Sequence, residues 1–296
     1  MLPLESVPNF SEGRNRETID AIEGSLAAHA AVLDVHADED HNRSVFTLVG
    51  DDDALPEALV AAVACARERI DLREHDGAHP RIGAADVIPL VPIRPADMER
   101  AKAAALRLGA RIGEELELPV FLYGECAPGN APSTFRRGGT AELQRRIDSG
   151  ELTPDFGPPR LHPSAGGVIV GARRPLIAFN VNLRATDVEV ARAIARIVRE
   201  SGGGFPGVRA LGLDLPRAGL VQVSMNVEDW EASALDDIVA RIEAEAHALG
   251  ADVLGSELVG LMPAGAAAAA AGTRLRIDGF DASRLLELRL LDREFS

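Results

Sequence analysis

Apolar positions along the chain recur with two periods, and their order predicts a doubled α+β arrangement. A short run near Glu5–Val7 predicts a strand, and Ile19, Ile22 and Leu26 fall on one face of a helix over about Arg16–His29. Strands follow at Val32–Val35 and Ser44–Val49, then a helix near Leu55–Ile70 and an apolar strand at Val87–Ile93. The order is β-α-β-β-α-β, the split βαβ or ferredoxin-like arrangement. A helix over about Asp97–Leu116 and a strand at Val120–Tyr123 extend this half. From Ala127 to Gly166 the pattern gives way to Gly, Pro and Ser, with one short helix near Ala141–Ile147. That stretch reads as a long functional loop or an interdomain connection. The second half repeats the first in outline. Strands at Leu176–Asn182, Ala210–Leu213, Val221–Asn226 and Val253–Leu254 alternate with helices over about Val188–Glu200 and Ala232–Leu249. The stretch PAGAAAAAAG near the end reads as a weak helix or a flexible cap. The expected fold class is therefore α+β, two ferredoxin-like (βαββαβ) subdomains, residues 1–174 and 175–296, with a ligand cleft or tunnel between them.

Composition narrows the setting. With 296 residues, 46% of them hydrophobic, the chain can bury a substantial core. No apolar run approaches a membrane span, and MLPLESVPNF lacks the basic start and apolar middle of a secretory signal. Two cysteines, Cys65 and Cys126, cannot make a disulfide framework, so a reducing, cytoplasmic location is expected. A net charge of −15 argues against nucleic acid or an anionic membrane as partner. The only lysine, Lys102, lies on the face of an amphipathic helix, a poor place for a desolvated amine, which argues against Schiff-base chemistry and pyridoxal phosphate. Charge is nevertheless uneven. Between Ala127 and Pro175 seven arginines (136, 137, 145, 146, 160, 173 and 174) stand against four acids. Such a stretch suits a small anionic ligand; it also suits a solvated loop with arginines on a helix face.

Few residues carry recognisable chemistry. His75 and His79 are four apart, but Gly77 and Pro80 break the helix that would aim both at a metal, and no HExxH pattern is present. His36, Asp38, Asp40 and His41 read as a polar hairpin turn, and no metal is expected. Cys126 follows a predicted strand and is either a covalent nucleophile or a small residue filling a turn. Cys65 lies on an apolar helix face. There is no GxSxG, Walker or GxGxxG pattern, and SGGGFPG at 201–207 reads as a helix stop. His79, in DGAHPRIGAAD (76–86), is the best acid–base candidate. Its pKa class suits proton transfer near neutrality, and the rigid Gly-Ala and Pro-Arg neighbours would fix its angle. The competing reading is a turn histidine bonded to the backbone.

Several long stretches resemble one family. VPNFSEGRN (7–15), LDVHADEDHNRSVFTLVG (33–50), IDLREHDGAHPRIGAADVIPLVPI (70–93), LPVFLYGE (118–125), PDFGP (154–158), GARRPLIAFNVNL (171–183) and LGSELVGLMP (254–263) resemble, in order, the formiminotransferases. The resemblance implies a two-subdomain transferase that moves a formimino group from N-formimino-L-glutamate to N5 of tetrahydrofolate, a step of histidine degradation and one-carbon metabolism. Tetrahydrofolate is then a co-substrate, held in a tunnel between the halves, and no metal is needed. The resemblance implies that His79 is the catalytic acid–base and that the folate loop is Gly157-Pro158-Pro159-Arg160-Leu161-His162-Pro163-Ser164-Ala165-Gly166. It further implies substrate-binding roles for Asn9, His36, Arg43 and Arg81, with Arg160 a further candidate for gripping a carboxylate. The cyclodeaminase domain that animal versions append is expected to be absent. Partners are expected to be small molecules, neither nucleic acid nor membrane, with a homodimer possible.

Two positions depart from the family pattern. LDVHA has His36 where an acidic residue is familiar, and PSAG has Ala165 where an aromatic is familiar. An imidazole is not a permanent carboxylate, and an alanine offers no stacking surface. Two alternatives therefore stand beside the transferase: a folate-dependent one-carbon or amidine transferase with another donor, or a non-catalytic folate-binding homologue.

Overall fold

The computed structural model describes residues 2–269 together with 277, 284–286 and 289. The chain divides into two compact units, residues 1–174 and 175–296.

The first unit is built on a sheet of seven strands. In chain order its elements are β1 (Leu4–Ser6), β2 (Asn9–Phe10), α1 (Arg16–Ala27), β3 (Ala31–Asp38), β4 (Arg43–Gly50), α2 (Ala54–Arg69), β5 (Ala85–Pro92), α3 (Met98–Glu115), β6 (Val120–Gly124), α4 (Pro132–Arg136), α5 (Gly139–Asp148) and β7 (Val168–Ala172). The run expected as one strand near Glu5–Val7 is two pieces, β1 and β2, interrupted at Val7 and Pro8. Both pieces lie antiparallel between β4 and β5. Proline has no N–H to give a ladder, so a break at Pro8 lets the strand continue past it. β3 pairs antiparallel with β4 at one side, while on the other side β7 lies parallel between β5 and β6.

Alternation along β5, β6 and β7 buries both faces. Val120, Leu122, Val168 and Val170 join the core under α1, α2 and α3, whereas Phe121, Tyr123 and Ile169 pack with Phe135, Leu143 and Ile147 of α4 and α5. The stretch expected to be mostly loop thus carries two helices and leads into an interior strand of the sheet, next to the edge strand β6. A strand buried on both sides has no alternation of polar and apolar residues, which is why the run Val168–Ala172 carries no strand period. Helix α1 starts where Asn15 accepts the Thr18 N–H at 3.2 Å, and it buries Ile19, Ile22 and Leu26.

The second unit contains β8 (Ile177–Arg184), α6 (Val188–Val198), β9 (Val208–Leu215), β10 (Leu220–Val227), α7 (Leu235–Ala248), β11 (Asp252–Val259) and α8 (Ala264–Ala269). Its four strands are antiparallel in the order β11, β8, β10, β9. Alternate positions such as Phe179, Val181, Val223 and Met225 pack with α6 and α7. The intervening positions form a polar set, in which Asn180 Nδ2 donates to Glu257 at 2.9 Å and Gln222 Nε2 donates to Asn182 at 2.9 Å. β11 is longer than the expected Val253–Leu254 and shifts register after Val253, which hides its period. Of the Ala-rich stretch near the end, α8 covers the start and the rest lies outside the described residues. No described helix is long and apolar enough to cross a membrane.

Candidate active site

The site is assembled from three turns of the first unit: the β3–β4 hairpin, the α2–β5 connection that holds His79, and the segment leading into β7. The α2–β5 connection is not helical, so His75 and His79 do not share a helix face. It lies against the hairpin instead. Ala78 N–H donates to Asp40 O at 3.0 Å, and Asn42 Nδ2 donates to Asp76 O at 2.9 Å. Gly77 sits so close that a Cβ there would stand 2.4 Å from His41 O, a backbone atom that cannot step aside. Asn42 takes φ +45°, a conformation that asparagine tolerates better than most residues. Its side-chain oxygen also accepts the Gly13 N–H at 2.9 Å, which ties in the VPNFSEGRN stretch.

Arg81 holds this assembly together. Its guanidinium donates to the carbonyls of His79 (3.0 and 2.6 Å), Asn42 (3.1 Å) and His41 (3.0 Å), and to His75 Nδ1 at 2.9 Å. Those bonds leave it little capacity to grip a substrate carboxylate. These bonds clamp the loop that carries His79, and the substrate-binding role expected of Arg81 would have to displace some of them.

His79 itself is half-buried. Its Nδ1 lies 2.8 Å from Pro80 O, and a carbonyl can only accept, so the proton belongs on Nδ1 and the lone pair on Nε2. The ring is stacked on His41 with centroids 6.1 Å apart. Burial first, then the nearby Arg43 and Arg136 guanidiniums, holds the imidazole well below its ordinary range. A neutral ring with a free Nε2 is a base.

Asp86 anchors the far side of the loop. It is buried, accepts the Ile82 N–H at 2.7 Å, and forms an ion pair with Arg136 of α4. Burial and Arg136 together pull the Arg43 guanidinium down to about 10, with Asp86 and Asp38 opposing.

The segment proposed for folate is hydrogen-bonded to the same loop. Ala84 N–H donates to Ala165 O at 2.9 Å, Gly167 N–H donates to Ile82 O at 3.0 Å, and Gly83 pairs with Gly166. Within the segment, His162 and Gly166 exchange two backbone bonds of 2.9 Å, and His162 Nδ1 accepts the Ala165 N–H at 3.1 Å. Gly166 has φ +68° and would put a Cβ 2.0 Å from Ile82 O. Gly157, Pro159, Arg160 and Pro163 are exposed, while Pro158, Leu161, His162 and Ser164 are half-buried. Ala165 is only 1% exposed and packs in the core, so its methyl fills space inside the protein instead of lining the open part of the loop.

Asn9, His36 and Arg43 are brought to one sheet face, the one turned away from α1 and α2. His36 and Asn9 both stand opposite Val45, and Arg43 lies two residues before it on β4. Asn9 Nδ2 donates to Val7 O at 3.0 Å. Two of the seven arginines of the arginine-rich stretch are paired within it, Arg145 and Arg146 with Glu142 and Glu151. Cys126 is half-buried with its thiol 3.9 Å from Lys102 O, and burial pushes the thiol up, away from the thiolate a nucleophile needs. Sequence reasoning missed Asp86 and Arg136. The polar Asp86 inside the apolar run ADVIPLVP was the available signal, because a buried carboxylate demands a partner.

Comparison with known proteins agrees along the length of the chain. Residues 3–173 match the formiminotransferase domain, N-terminal subdomain, and residues 178–278 match the formiminotransferase domain. The chain is similar to a glutamate formimidoyltransferase of Streptococcus pyogenes serotype M1, 40% identical over 97% of this chain and 98% of that protein. It is similarly related to a glutamate formimidoyltransferase of Thermoplasma acidophilum, 38% identical over 97% of each chain. A formimidoyltransferase-cyclodeaminase of Rattus norvegicus is 42% identical over 88% of this chain, which spans 50% of that longer protein. With both profiles matched in order and relatives aligned nearly end to end, the chain belongs to the formiminotransferase family.

Proposed function

We propose that the protein is a glutamate formimidoyltransferase, moving the formimino group of N-formimino-L-glutamate to N5 of tetrahydrofolate in histidine degradation. The observation that carries this reading is the backbone ladder between Ile82–Ala84 and Ala165–Gly167, which places the motif of His79 beside the segment assigned to folate. The relatives' names and the two family matches support it. We read residues 1–174 and 175–296 as the two subdomains of one transferase. Each contains a βαββαβ path, with β3, β4, β1/β2 and β5 side by side in the first and β11, β8, β10 and β9 in the second, which supports a ferredoxin-like topology for both.

In the mechanism, N5 of tetrahydrofolate attacks the formimino carbon. The N5–C bond forms and a tetrahedral intermediate results. The C–N bond to glutamate then breaks and the amine leaves. His79 Nε2 takes the proton from N5 and returns it to the departing nitrogen. Holding both substrates in one orientation removes much of the entropic barrier to their meeting. Arg81 keeps the imidazole in place through its own backbone. No metal has a role in these steps, and tetrahydrofolate enters as a co-substrate.

The test is a calorimetric titration with tetrahydrofolate followed by a panel of formimino donors monitored for loss of the formimino group. Tight folate binding and turnover with N-formimino-L-glutamate are expected. Folate binding without transfer from any donor rejects the enzyme and points to a binding protein.

A further inference from the structure

Three arginines converge on His79, and their hydrogen-bonding states differ. Arg81 is fully engaged with backbone carbonyls and His75. Arg136 gives Nη2 to Asp86, yet its Nε–H is buried with no acceptor. Arg43 makes no hydrogen bond or ion pair through its guanidinium among the described residues, although it is half-buried. The carboxylates at hand do not fill the donors left over. Asp86 is engaged by Arg136 and the Ile82 N–H, Asp38 takes the His41 N–H at 2.6 Å, and Asp76 is exposed. Next to the base, then, the Arg136 Nε–H and the Arg43 guanidinium remain without an acceptor among the described residues. Partly buried guanidinium N–H groups without an acceptor are costly unless a ligand, best an anion, completes them.

We infer that Arg136, with Arg43, is the receptor for a carboxylate of the amino-acid donor, and that Asp86 is the positioning residue that aims it. The inference rests on the transferase reading above and names the group through which this site selects its donor. Position decides which carboxylate it is. Arg43 follows His41, whose ring stacks on His79, and Arg136 reaches the His79 loop through Asp86 and Ile82 N–H. Both guanidiniums therefore lie near the proton-transfer group. In a formimino amino acid the α-carboxylate is separated from the reacting nitrogen by one carbon, whereas the glutamate tail of a folate is separated from N5 by C6, C9, N10 and a benzoyl group. The fork geometry of arginine suits a carboxylate better than a lysine would.

The experiment compares Arg136→Gln, Arg43→Gln and Arg136→Lys with the unaltered protein. N-formimino-L-glutamate and tetrahydrofolate are titrated separately by calorimetry, and turnover is measured with that donor and with formamidine, which has no carboxylate. Each Gln variant is expected to bind the amino-acid donor about ten- to a hundredfold more weakly, the scale of a lost charged hydrogen bond. Tetrahydrofolate affinity should hold within about twofold, and any loss of turnover with formamidine should be well below the loss with the amino-acid donor, as expected when the carboxylate contact is what is lost. Arg136→Lys should recover only part of the loss. Because Arg136→Gln leaves Asp86 unpaired, an Arg136→Gln/Asp86→Asn double variant removes both charges and guards against simple misfolding. Unchanged donor affinity in folded Gln variants overturns the inference. So does an equal loss with formamidine, which would mean the arginines act on His79, or a loss confined to tetrahydrofolate, which would mean they hold the folate tail. An unaltered protein that binds the donor through these arginines but transfers nothing supports the receptor while rejecting the transferase.

Discussion

Replacing Arg81 by methionine removes a guanidinium and keeps much of the side chain's bulk. The loss is of donors to three backbone carbonyls, those of His41, Asn42 and His79, at 2.6 to 3.1 Å. A hydrogen bond from a charged group contributes about 1.5–3 kcal/mol when its partner cannot be rehydrated. These carbonyls are only partly buried, so water replaces some of the loss and a net destabilisation of about 2–4 kcal/mol is expected. The consequence for catalysis is larger than that for folding. The His79 carbonyl is one of the three, so its ring loses its fixed angle, and small misplacements of a base cost about a hundredfold in rate. Urea unfolding of Arg81→Met should show the midpoint falling at unchanged slope. Steady-state kinetics should show kcat falling with little change in KM for the donor. Arg81→Lys should rescue little, because one ammonium cannot reach carbonyls on both sides of the loop. A variant with normal kcat and a raised donor KM would refute the clamp and restore Arg81 to substrate binding.

Three further changes probe the same site. His79→Ala should keep tetrahydrofolate affinity within about twofold while lowering kcat at least about a hundredfold, the scale of a lost acid–base group. Catalysis needs the neutral ring, and activity is therefore lost as pH falls through the folded-state value. That value is held low by burial and by Arg43 and Arg136, so kcat should stay level through the ordinary histidine range and drop only on its acid side. Removing one positive charge in Arg43→Gln should move the drop to higher pH at saturating donor; a limb at the ordinary histidine value in the unaltered protein contradicts the reasoning. Gly83→Ala would place a Cβ 1.9 Å from Gly167 O, backbone against backbone, and should cost about 3 kcal/mol in chemical denaturation together with weakened tetrahydrofolate binding. Wild-type stability and folate affinity in that variant would show that the ladder between the two loops is dispensable.

The elements legible in the sequence were those with clean periodicity. α1 shows Ile19, Ile22 and Leu26 at helical spacing, and β10 alternates Val221, Val223 and Met225 with polar residues. β7 was illegible because a parallel strand covered on both faces is apolar throughout, and β11 was legible only at Val253–Leu254 because its register shift breaks the period. His79 stood out as a candidate through its rigid neighbours, but the partners that define its state did not. Arg136 lies on a five-residue helix far along the chain from His79, and only the folded sheet brings it to Asp86. The bonds of Arg81 to the His41, Asn42 and His79 carbonyls were illegible for the same reason. Which carbonyls a guanidinium meets depends on how a hairpin and a loop close on each other, and a motif does not carry that information.

The placement of β7 between β5 and β6 has a consequence for how the protein comes to exist. β5 and β6 are synthesised first, yet neither is the other's neighbour in the finished sheet, and the gap they frame is closed by the last strand of the unit. The residues from Ser164 to Gly167 immediately precede that strand and zip onto Leu72 and Ile82–Ala84 as it docks. A nascent chain that has not yet delivered Val168–Ala172 therefore leaves the edge of β5 unmatched, has no partner for β6, and lacks the backbone ladder beside the His79 motif. Completion of the sheet and assembly of the catalytic neighbourhood are thus one event, late and dependent on distant parts of the chain, a slow kind of closure.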